Sequence, residues 1–155
     1  MLSPYNLEET EEGYCFVTDF GNIYLLTFTN YPLLNDGLDF SVLSFSIDIV
    51  ERNSTNSDNR IEITVCSAIN RFFDENDYAI IFMLDNMDGK HHARKRLFDK
   101  WHGRSNNNGI SKENFSFTTD GIEIITSLLI KDTNPFVEKI KNEFKDLCDI
   151  NFFLE

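Results

Sequence analysis

Alternating apolar and polar residues predict β-strands in the first third of the chain. Residues 14–29 are typical of a β-hairpin in which Gly21-Asn22 forms a two-residue turn that tolerates positive φ. One face of its first strand carries three aromatic residues, Tyr14, Phe16 and Phe20. A third strand is predicted over residues 43–49, where the alternation has the period of a half-buried strand. Its apolar positions are Leu43, Phe45, Ile47 and Ile49.

The next predicted element is a helix that begins near Asn59. Asn59 and Glu62 have the spacing of a capping box, in which side chains at the helix start bond free backbone amides. Apolar residues then recur at helical spacing along one face: Ile61, Val65, Ala68, Ile69, Phe72 and Phe73. Residues 78–84 follow as a continuous apolar run of strand length, which indicates a central strand covered on both faces.

The C-terminal half predicts two more helices with a hairpin between them. Residues 90–104, called the basic helix below, are rich in lysine and arginine, and Gly103 is a typical helix stop. A hairpin is predicted around Asp120-Gly121, with strands at residues 115–117 and 122–130. Asn134-Pro135 is typical of the start of a last helix. The apolar face of that helix holds Phe136, Ile140, Phe144 and Leu147.

Taken in order, these elements predict an α+β fold with a mainly antiparallel sheet and the order βββ-α-β-α-ββ-α. The 155 residues fit one domain, residues 1–155, since a single core typically serves roughly 100–200 residues. The hydrophobic content of 41% argues against intrinsic disorder. No apolar run approaches the roughly 18 residues that cross a bilayer. The glutamates at residues 8–12 do not fit a signal peptide. We therefore expect a cytoplasmic protein without a membrane partner.

Cysteine and histidine usage predicts neither disulfides nor a metal site. The three cysteines are far apart and form no C-x-x-C pair, which favours a reducing compartment and a role as buried apolar residues. They are Cys15, Cys66 and Cys148. His91 and His92 diverge by roughly 100° on a helix, and His102 lies about three turns further on, so a shared metal ion is not expected. A histidine general base stays open, but no catalytic residue is predicted.

The net charge of −12 conceals a concentrated positive segment. The basic helix contains six basic residues and one acidic residue, Asp99. An acidic protein is repelled by polyphosphate at long range, so general nucleic-acid binding is not expected, but one basic strip can dock on an anionic partner. The alternative is an ordinary solvated helix face. The acidic run at residues 8–12 predicts a solvated arm, or else an acidic patch facing the basic helix.

The segment from residue 85 to residue 104 contains the candidate binding residues. On a helical wheel Ala93, Leu97, Trp101 and Phe98 form the buried stripe, and Arg94 falls between Trp101 and Phe98. The wheel directs Arg96, Lys95, Asp99 and His92 away from this stripe, toward solvent. A guanidinium at Arg94 needs carboxylate or carbonyl partners because an unpaired buried charge is costly, and Asp85 and Asp88 are its candidate partners. Such a pair is either a structural brace of the strand–helix turn or part of an anion site at the carboxyl end of a central strand. The full candidate set is Asp85, Asn86, Asp88, Arg94, Lys95, Arg96, Lys100 and Trp101.

Three sequence features combine over nearly the whole chain. They are an aromatic N-terminal hairpin, the helix start Asp58-x-Arg60-Ile61, and the run Asp88-Gly-Lys followed by Arg94-x-Arg96-Leu-Phe-Asp-x-Trp101. Together they resemble a family of small Bacteroidetes proteins that is a domain of unknown function. This resemblance implies no activity.

The predicted element order is also similar to the core of the GCN5-related N-acetyltransferases. Asn86 and the helix from Ala93 to Phe98 echo the segment that flanks the cofactor in that family. The resemblance implies an acetyltransferase-like core and CoA or acetyl-CoA as cofactor. The chain departs from the family at residues 52–59, where the pyrophosphate loop should lie, because this stretch contains no glycine to let backbone amides approach a pyrophosphate. The opening strand and helices that shape the family's acceptor site are also missing.

Three functional hypotheses follow. The leading one is a non-enzymatic interaction protein of a bacterial conflict or defence locus, which needs no cofactor and docks through the basic helix and the sheet edge on an acidic protein surface. The second is a divergent or degenerate GCN5-related acyltransferase-like enzyme with a site near Asp85, Asn86 and Arg94. The third is local recognition of nucleic acid or nucleotide by the basic helix.

Overall fold

The computed structural model describes residues 2–31, 42–85, 91–105 and 109–153. Within them the chain forms seven strands and three helices. The strands are β1 (Glu8–Glu9), β2 (Gly13–Val17), β3 (Ile23–Asn30), β4 (Val42–Glu51), β5 (Ala79–Asp85), β6 (Ile110–Thr119) and β7 (Ile122–Lys131). The helices are α1 (Asn59–Glu75), α2 (His91–Ser105) and α3 (Val137–Phe153). The predicted α+β class with mainly antiparallel pairing is confirmed, and the order differs from the predicted one by the additional strand β1.

Contacts along the chain divide the protein into two compact units. The first comprises Met1–Thr29 and Ser44–Asn76, and the second comprises Asn30–Leu43 and Asp77–Glu155. Two compact units need not be separate domains, so a single domain over residues 1–155 stays a prediction. None of the three helices found in the described residues is long and apolar enough to cross a membrane.

In the first unit the strands lie in the order β1-β2-β3-β4. β1 pairs antiparallel with β2, and β2 pairs antiparallel with β3. The predicted solvated arm at residues 8–12 is therefore wrong in its first half, because Glu8 and Glu9 form an exposed edge strand. The Glu9 carboxylate also makes an ion pair with Arg71 of α1, which itself bonds Glu75 at 3.5 Å.

The first hairpin has a longer turn than predicted. Val17 is opposite Ile23, so five residues connect the strands instead of two. Phe20 lies in this turn and is 42% exposed, not on the aromatic face of the strand. The Thr18 amide donates to the Asn22 carbonyl at 2.9 Å, and Gly21 supplies the positive φ of 82°. The local sequence predicted too short a turn, because the Asn22 side chain bonds residues outside the hairpin, as described below.

β4 is half-buried only at its beginning. Val42 and Phe45 are buried, whereas Ile47 and Ile49 are 36% and 37% exposed. The alternation of residues predicted the strand correctly, but the expected burial of its second half is wrong.

The N-cap of α1 lies one residue earlier than predicted, because the helix itself begins at Asn59. Asp58, not Asn59, is the N-cap, and its carboxylate accepts a hydrogen bond from the Arg60 amide at 3.0 Å. The predicted apolar face is confirmed except at its first position, since Ile61 is half-buried. The buried residues are Thr64, Val65, Ala68, Ile69, Phe72 and Phe73.

A stacked column joins the N-terminal segment to α1. The Arg60 guanidinium lies 3.8 Å from the centroid of the Tyr5 ring. Tyr5 stacks on Phe16 with 5.9 Å between centroids, and Phe16 stacks on Tyr24 at 5.0 Å. The Tyr5 hydroxyl donates to the Asp58 carboxylate at 2.6 Å. Residues before the first hairpin are thus packed into the core of this unit.

In the second unit the strands lie in the order β5-β7-β6, all antiparallel. Ile80 and Ile81 of β5 point to opposite faces and are both buried, as predicted for a central strand. Thr119 is opposite Ile122, so Asp120-Gly121 forms the predicted two-residue turn. Both turn residues have positive φ (51° and 77°), as a type I′ turn requires.

α3 covers one face of these strands. Its predicted start is confirmed, since the Asn134 side chain accepts from the Phe136 amide at 2.8 Å and donates to the Asp77 carbonyl at 2.6 Å. The core beneath it contains Val42, Ala79, Ile81, Leu128, Ile130, Ile140, Phe144 and Cys148. All three cysteines are free thiols, but only Cys148 is buried as predicted, and the other two are half-buried.

Candidate functional site

The predicted candidate residues fall on β5, on α2 and on the segment between them. Asn86 and Asp88 lie outside the described residues, and so do the side chains of Asp85, Arg94 and Trp101. Pairing of Arg94 with Asp85 or Asp88 therefore stays a prediction. The described candidates are Lys95, Arg96 and Lys100, all on α2.

α2 lies on β5 and presents a basic stripe to solvent. Phe98 is buried, with its ring 4.4 Å from that of Phe82 on β5. Gly103 lies inside the helix, so the predicted stop there is wrong. Residues four apart share a helix face, and three such residues are exposed. They form what we call the basic stripe: His92, Arg96 and Lys100.

A second set of polar side chains ties α2 to β6. Lys112 of β6 is only 3% exposed, and its ammonium donates to Asp99 of α2 and to Asn114 at 2.5 Å. Asn114 donates in turn to Asp99 at 3.0 Å, and Lys95 donates to the other Asp99 oxygen at 2.6 Å. We call these four residues the lysine–aspartate clamp. Asp99 was predicted to point to solvent, and the clamp shows that this is wrong.

The clamp shifts the ionisation of both of its central groups. Partial burial raises the pKa of Asp99, but hydrogen bonds from Lys112, Lys95 and Asn114 outweigh it and lower that pKa from 3.8 to about 2. Burial lowers the pKa of Lys112, and Asp99 opposes this effect. The carboxylate therefore holds its charge well into acid, which fits a structural ion pair.

We expect the stability of the protein to fall between about pH 4 and pH 2. A folded-state pKa below the unfolded value adds stability that is complete above 3.8 and is lost as the pH falls through about 2. Urea unfolding at pH 2 to 5 measures this fall. In Lys112→Met the loss of stability with falling pH should be smaller, because this variant lacks one of the hydrogen bonds that lower the pKa of Asp99. An unchanged acid slope in that variant would contradict the assignment.

A groove of about 280 Å³ lies between the N-terminal half of α2 and the β6–β7 hairpin. Its lining residues are His92, Lys95, Arg96, Asn114, Phe115, Ser116, Glu123 and Ile125. The Phe115 ring packs against Phe144 of α3, 5.3 Å between centroids, on the opposite face of the strand. Because Asn114 and Ser116 of β6 and Glu123 and Ile125 of β7 all line it, the groove lies over the face of the β6–β7 hairpin that is turned toward α2.

The cations in the groove and next to it on α2 differ in their partners. Lys95 is bonded to Asp99, and His92 lies 2.8 Å from the Glu123 carboxylate. Arg96 and Lys100, by contrast, have no hydrogen-bond or ion-pair partner among residues 2–31, 42–85, 91–105 and 109–153. Two exposed cations that lack a partner within those residues can bind an anionic group. No cluster of three or more His, Cys, Asp or Glu side chains suited to a metal ion occurs in this described part of the chain.

Residues 52–59 would correspond to the pyrophosphate loop of an acetyltransferase, but several of their backbone amides already bond other groups of the protein. The side-chain oxygen of Asn22 accepts from the amides of Asn53 (2.7 Å) and Ser54 (2.9 Å), and the Asn56 amide donates to the Ser54 hydroxyl. The Asp58 carboxylate lies at the N-terminus of α1, where a phosphate would be repelled. This geometry gives no support to a CoA site, and the acetyltransferase-like core stays a prediction.

Sequence reasoning identified the stripe but missed the clamp and the groove. The strand containing Lys112 was predicted to begin only at residue 115, so Lys112 had no assigned face. Residues 111–114 are all polar, so the alternation of apolar and polar residues that predicts a strand is missing in front of residue 115.

One protein family has a model that matches residues 57–146, more than half of the chain, and it is described as a family of unknown function (DUF6169). The match includes α1, α2 and the β6–β7 hairpin. No curated protein and no solved structure shows a significant match to the chain.

Proposed function

This chain belongs to that family of unknown function, and we propose that it is a non-enzymatic interaction protein that docks an acidic protein surface on the basic stripe of α2. The observation that carries the proposal is the pair of exposed cations, Arg96 and Lys100, on one helix face. They sit in a chain whose net charge is −12. Neither cation has a hydrogen-bond or ion-pair partner among the described residues, and Arg96 lines the groove, so this helix face supports docking of an external anion.

Electrostatic complementarity of this kind mainly sets specificity and the association rate. An acidic protein surface fits better than nucleic acid, because the strongly negative remainder of the chain would oppose a long polyphosphate. The buried and half-buried polar groups described near the stripe, Lys112 and Asp99, are paired within the clamp, which gives them a structural role.

The proposal includes a cytoplasmic location, which the three free thiols support. Bacterial origin and a place in a conflict or defence locus stay predictions.

Reversal of the two stripe cations tests the proposal. Full-length tagged wild type and Arg96→Glu/Lys100→Glu are used as baits in lysate of the native host, and bound proteins are quantified by mass spectrometry. We expect at least one acidic partner whose recovery falls by about tenfold or more in the variant. Lys95 is left unchanged because it belongs to the clamp and its loss would disturb the fold.

The matched control is Lys139→Glu/Lys145→Glu on α3, which changes the net charge equally at two other exposed lysines. This control should keep the partner, and the circular dichroism of both variants should match that of wild type. Equal recovery of every partner by wild type and by the stripe variant would refute the proposal.

A further inference from the structure

We infer that the acidic partner binds as an extended segment that adds a strand to the free edge of β6, with its acidic side chains directed at Arg96. This inference rests on the proposed function and specifies the chemistry of its partner. It excludes a purely side-chain contact between two folded surfaces, because part of the binding would come from main-chain hydrogen bonds.

β6 is a long strand at the end of the order β5-β7-β6. It is ten residues long and pairs with β7 along its whole length, and no other strand of the described residues pairs with it. Such an edge presents a row of unpaired amides and carbonyls, which folded proteins usually cover, shorten or charge.

The first part of the β6 edge is covered by α2. His102 of α2 bonds the Ile110 carbonyl at 2.7 Å. Lys112 turns inward to the clamp, and an inward-pointing charge is one known protection of an edge strand. The protection therefore ends near Asn114.

Beyond that point no other strand of the described residues pairs with β6, and the groove lies over the neighbouring face of the β6–β7 hairpin. Asn114, Phe115 and Ser116 are consecutive lining residues, although only alternate side chains of a strand can face the same side. The side chains of Asn114 and Ser116 therefore line the groove from the α2 side of the sheet, while the Phe115 ring packs against α3. A strand laid about 4.8 Å from β6 in the plane of the sheet would place alternate side chains beside this groove, on the α2 side.

The charges around the groove indicate which residues the bound segment carries. Arg96 and Lys95 line the same groove from the α2 side, whereas its single carboxylate, Glu123, is bonded by His92. Alternate side chains of an added strand would point toward α2. We therefore expect Asp or Glu at every second position of the partner segment, with smaller or apolar residues between them.

The test uses a defined probe in place of an unknown partner. A display library of random 12-residue peptides is selected on the full-length protein, with Arg96→Glu/Lys100→Glu as the counter-selection. Peptides that survive should be acidic at alternate positions. The best one is then synthesised in two forms that carry N-methyl groups on the odd or on the even residues.

A strand that pairs along one edge donates only its alternate amides to that edge. One N-methylated form should therefore bind about tenfold or more weakly, and the other should bind within about threefold of the unmodified peptide. Hydrogen exchange should slow in the complex at Ser116, whose amide faces the free edge, but not at Phe115, whose amide is directed at β7. Fluorescence titration of labelled peptides measures the affinities.

Each other outcome has a distinct meaning. Acidic peptides that require Arg96 and Lys100 but bind equally well in both N-methylated forms would keep the proposed docking and overturn strand addition. Enrichment of peptides without an acidic pattern would overturn this inference, and so would the absence of any peptide specific for the wild type. The proposed function itself is judged separately, by recovery of the host partner.

Discussion

Replacement of Asp99 by Asn should lower the free energy of unfolding by about 2–4 kcal/mol. Asparagine keeps the shape of the carboxylate but cannot neutralise the Lys112 ammonium, whose side chain is almost completely buried. A buried charge without its partner retains the cost of desolvation and loses the attraction that compensates it. The expected loss is smaller than for a fully enclosed pair because Asp99 is partly exposed and Lys112 keeps Asn114. Urea unfolding at pH 7 measures the change.

Asp120→Asn is the matched control for this variant. It makes the same chemical change at an exposed turn residue, whose φ of 51° asparagine tolerates, so the effect should stay within about 0.5 kcal/mol. A double-mutant cycle with Lys112→Met isolates the pair. The double variant should lose less than the two single variants together, because methionine leaves no charge to neutralise. Additive losses would contradict the clamp.

Replacement of Tyr5 by Ala should cost about 3–4 kcal/mol. Tyr5 is buried between the Arg60 guanidinium and the Phe16 ring, and alanine would leave a cavity in the middle of the stacked column. Its hydroxyl also bonds the Asp58 cap of α1, so truncation loosens the start of that helix. Tyr5 lies before the residues matched by the family model, so this variant shows how far the N-terminal segment supports the matched part. Thermal and urea unfolding give the difference.

Two further substitutions serve as comparisons for Tyr5→Ala. Tyr5→Phe removes only the hydroxyl and should cost about 1–2 kcal/mol, since the hydrogen bond to a charged acceptor is lost while the stacking stays. Phe20→Ala removes an exposed aromatic side chain from the same unit and should change stability by about 0.5 kcal/mol. If Tyr5→Ala were no worse than Phe20→Ala, the N-terminal segment would not be part of the core.

The two hairpins show where local sequence suffices to predict structure. Asp120-Gly121 forms the expected two-residue turn because both residues tolerate positive φ and the turn needs nothing else. Gly21-Asn22 has similar local chemistry, but the Asn22 side chain is used by the amides of Asn53 and Ser54, more than 30 residues away. The hydrogen bonds of the buried Asn22 side chain outweigh the preference of Gly21-Asn22 for a two-residue turn. The sequence of the hairpin alone contains no sign of these distant partners.

The candidate site was predicted in part for the same reason. Charge density pointed to the basic helix, and its exposed positions Arg96 and Lys100 follow from helical spacing alone. A helical wheel assigns directions relative to one helix axis, so it placed Asp99 in solvent without knowing that Lys112 of β6 lies beneath it. The groove could not be predicted either, because it is formed by residues of three elements that are distant in the sequence.

The inward turn of Lys112 also bears on how the β6–β7 hairpin folds. Lys112 faces α2 and Phe115 faces α3, because neighbouring strand residues point to opposite sides. A slip of β6 by one residue would exchange the two faces. The ammonium would then enter the apolar core around Ile140 and Phe144, and the Phe115 ring would meet the Asp99 carboxylate. Both misplacements cost free energy, so hairpins with the shifted register should reopen quickly. The alternation of Lys112 and Phe115 therefore favours the correct register during folding.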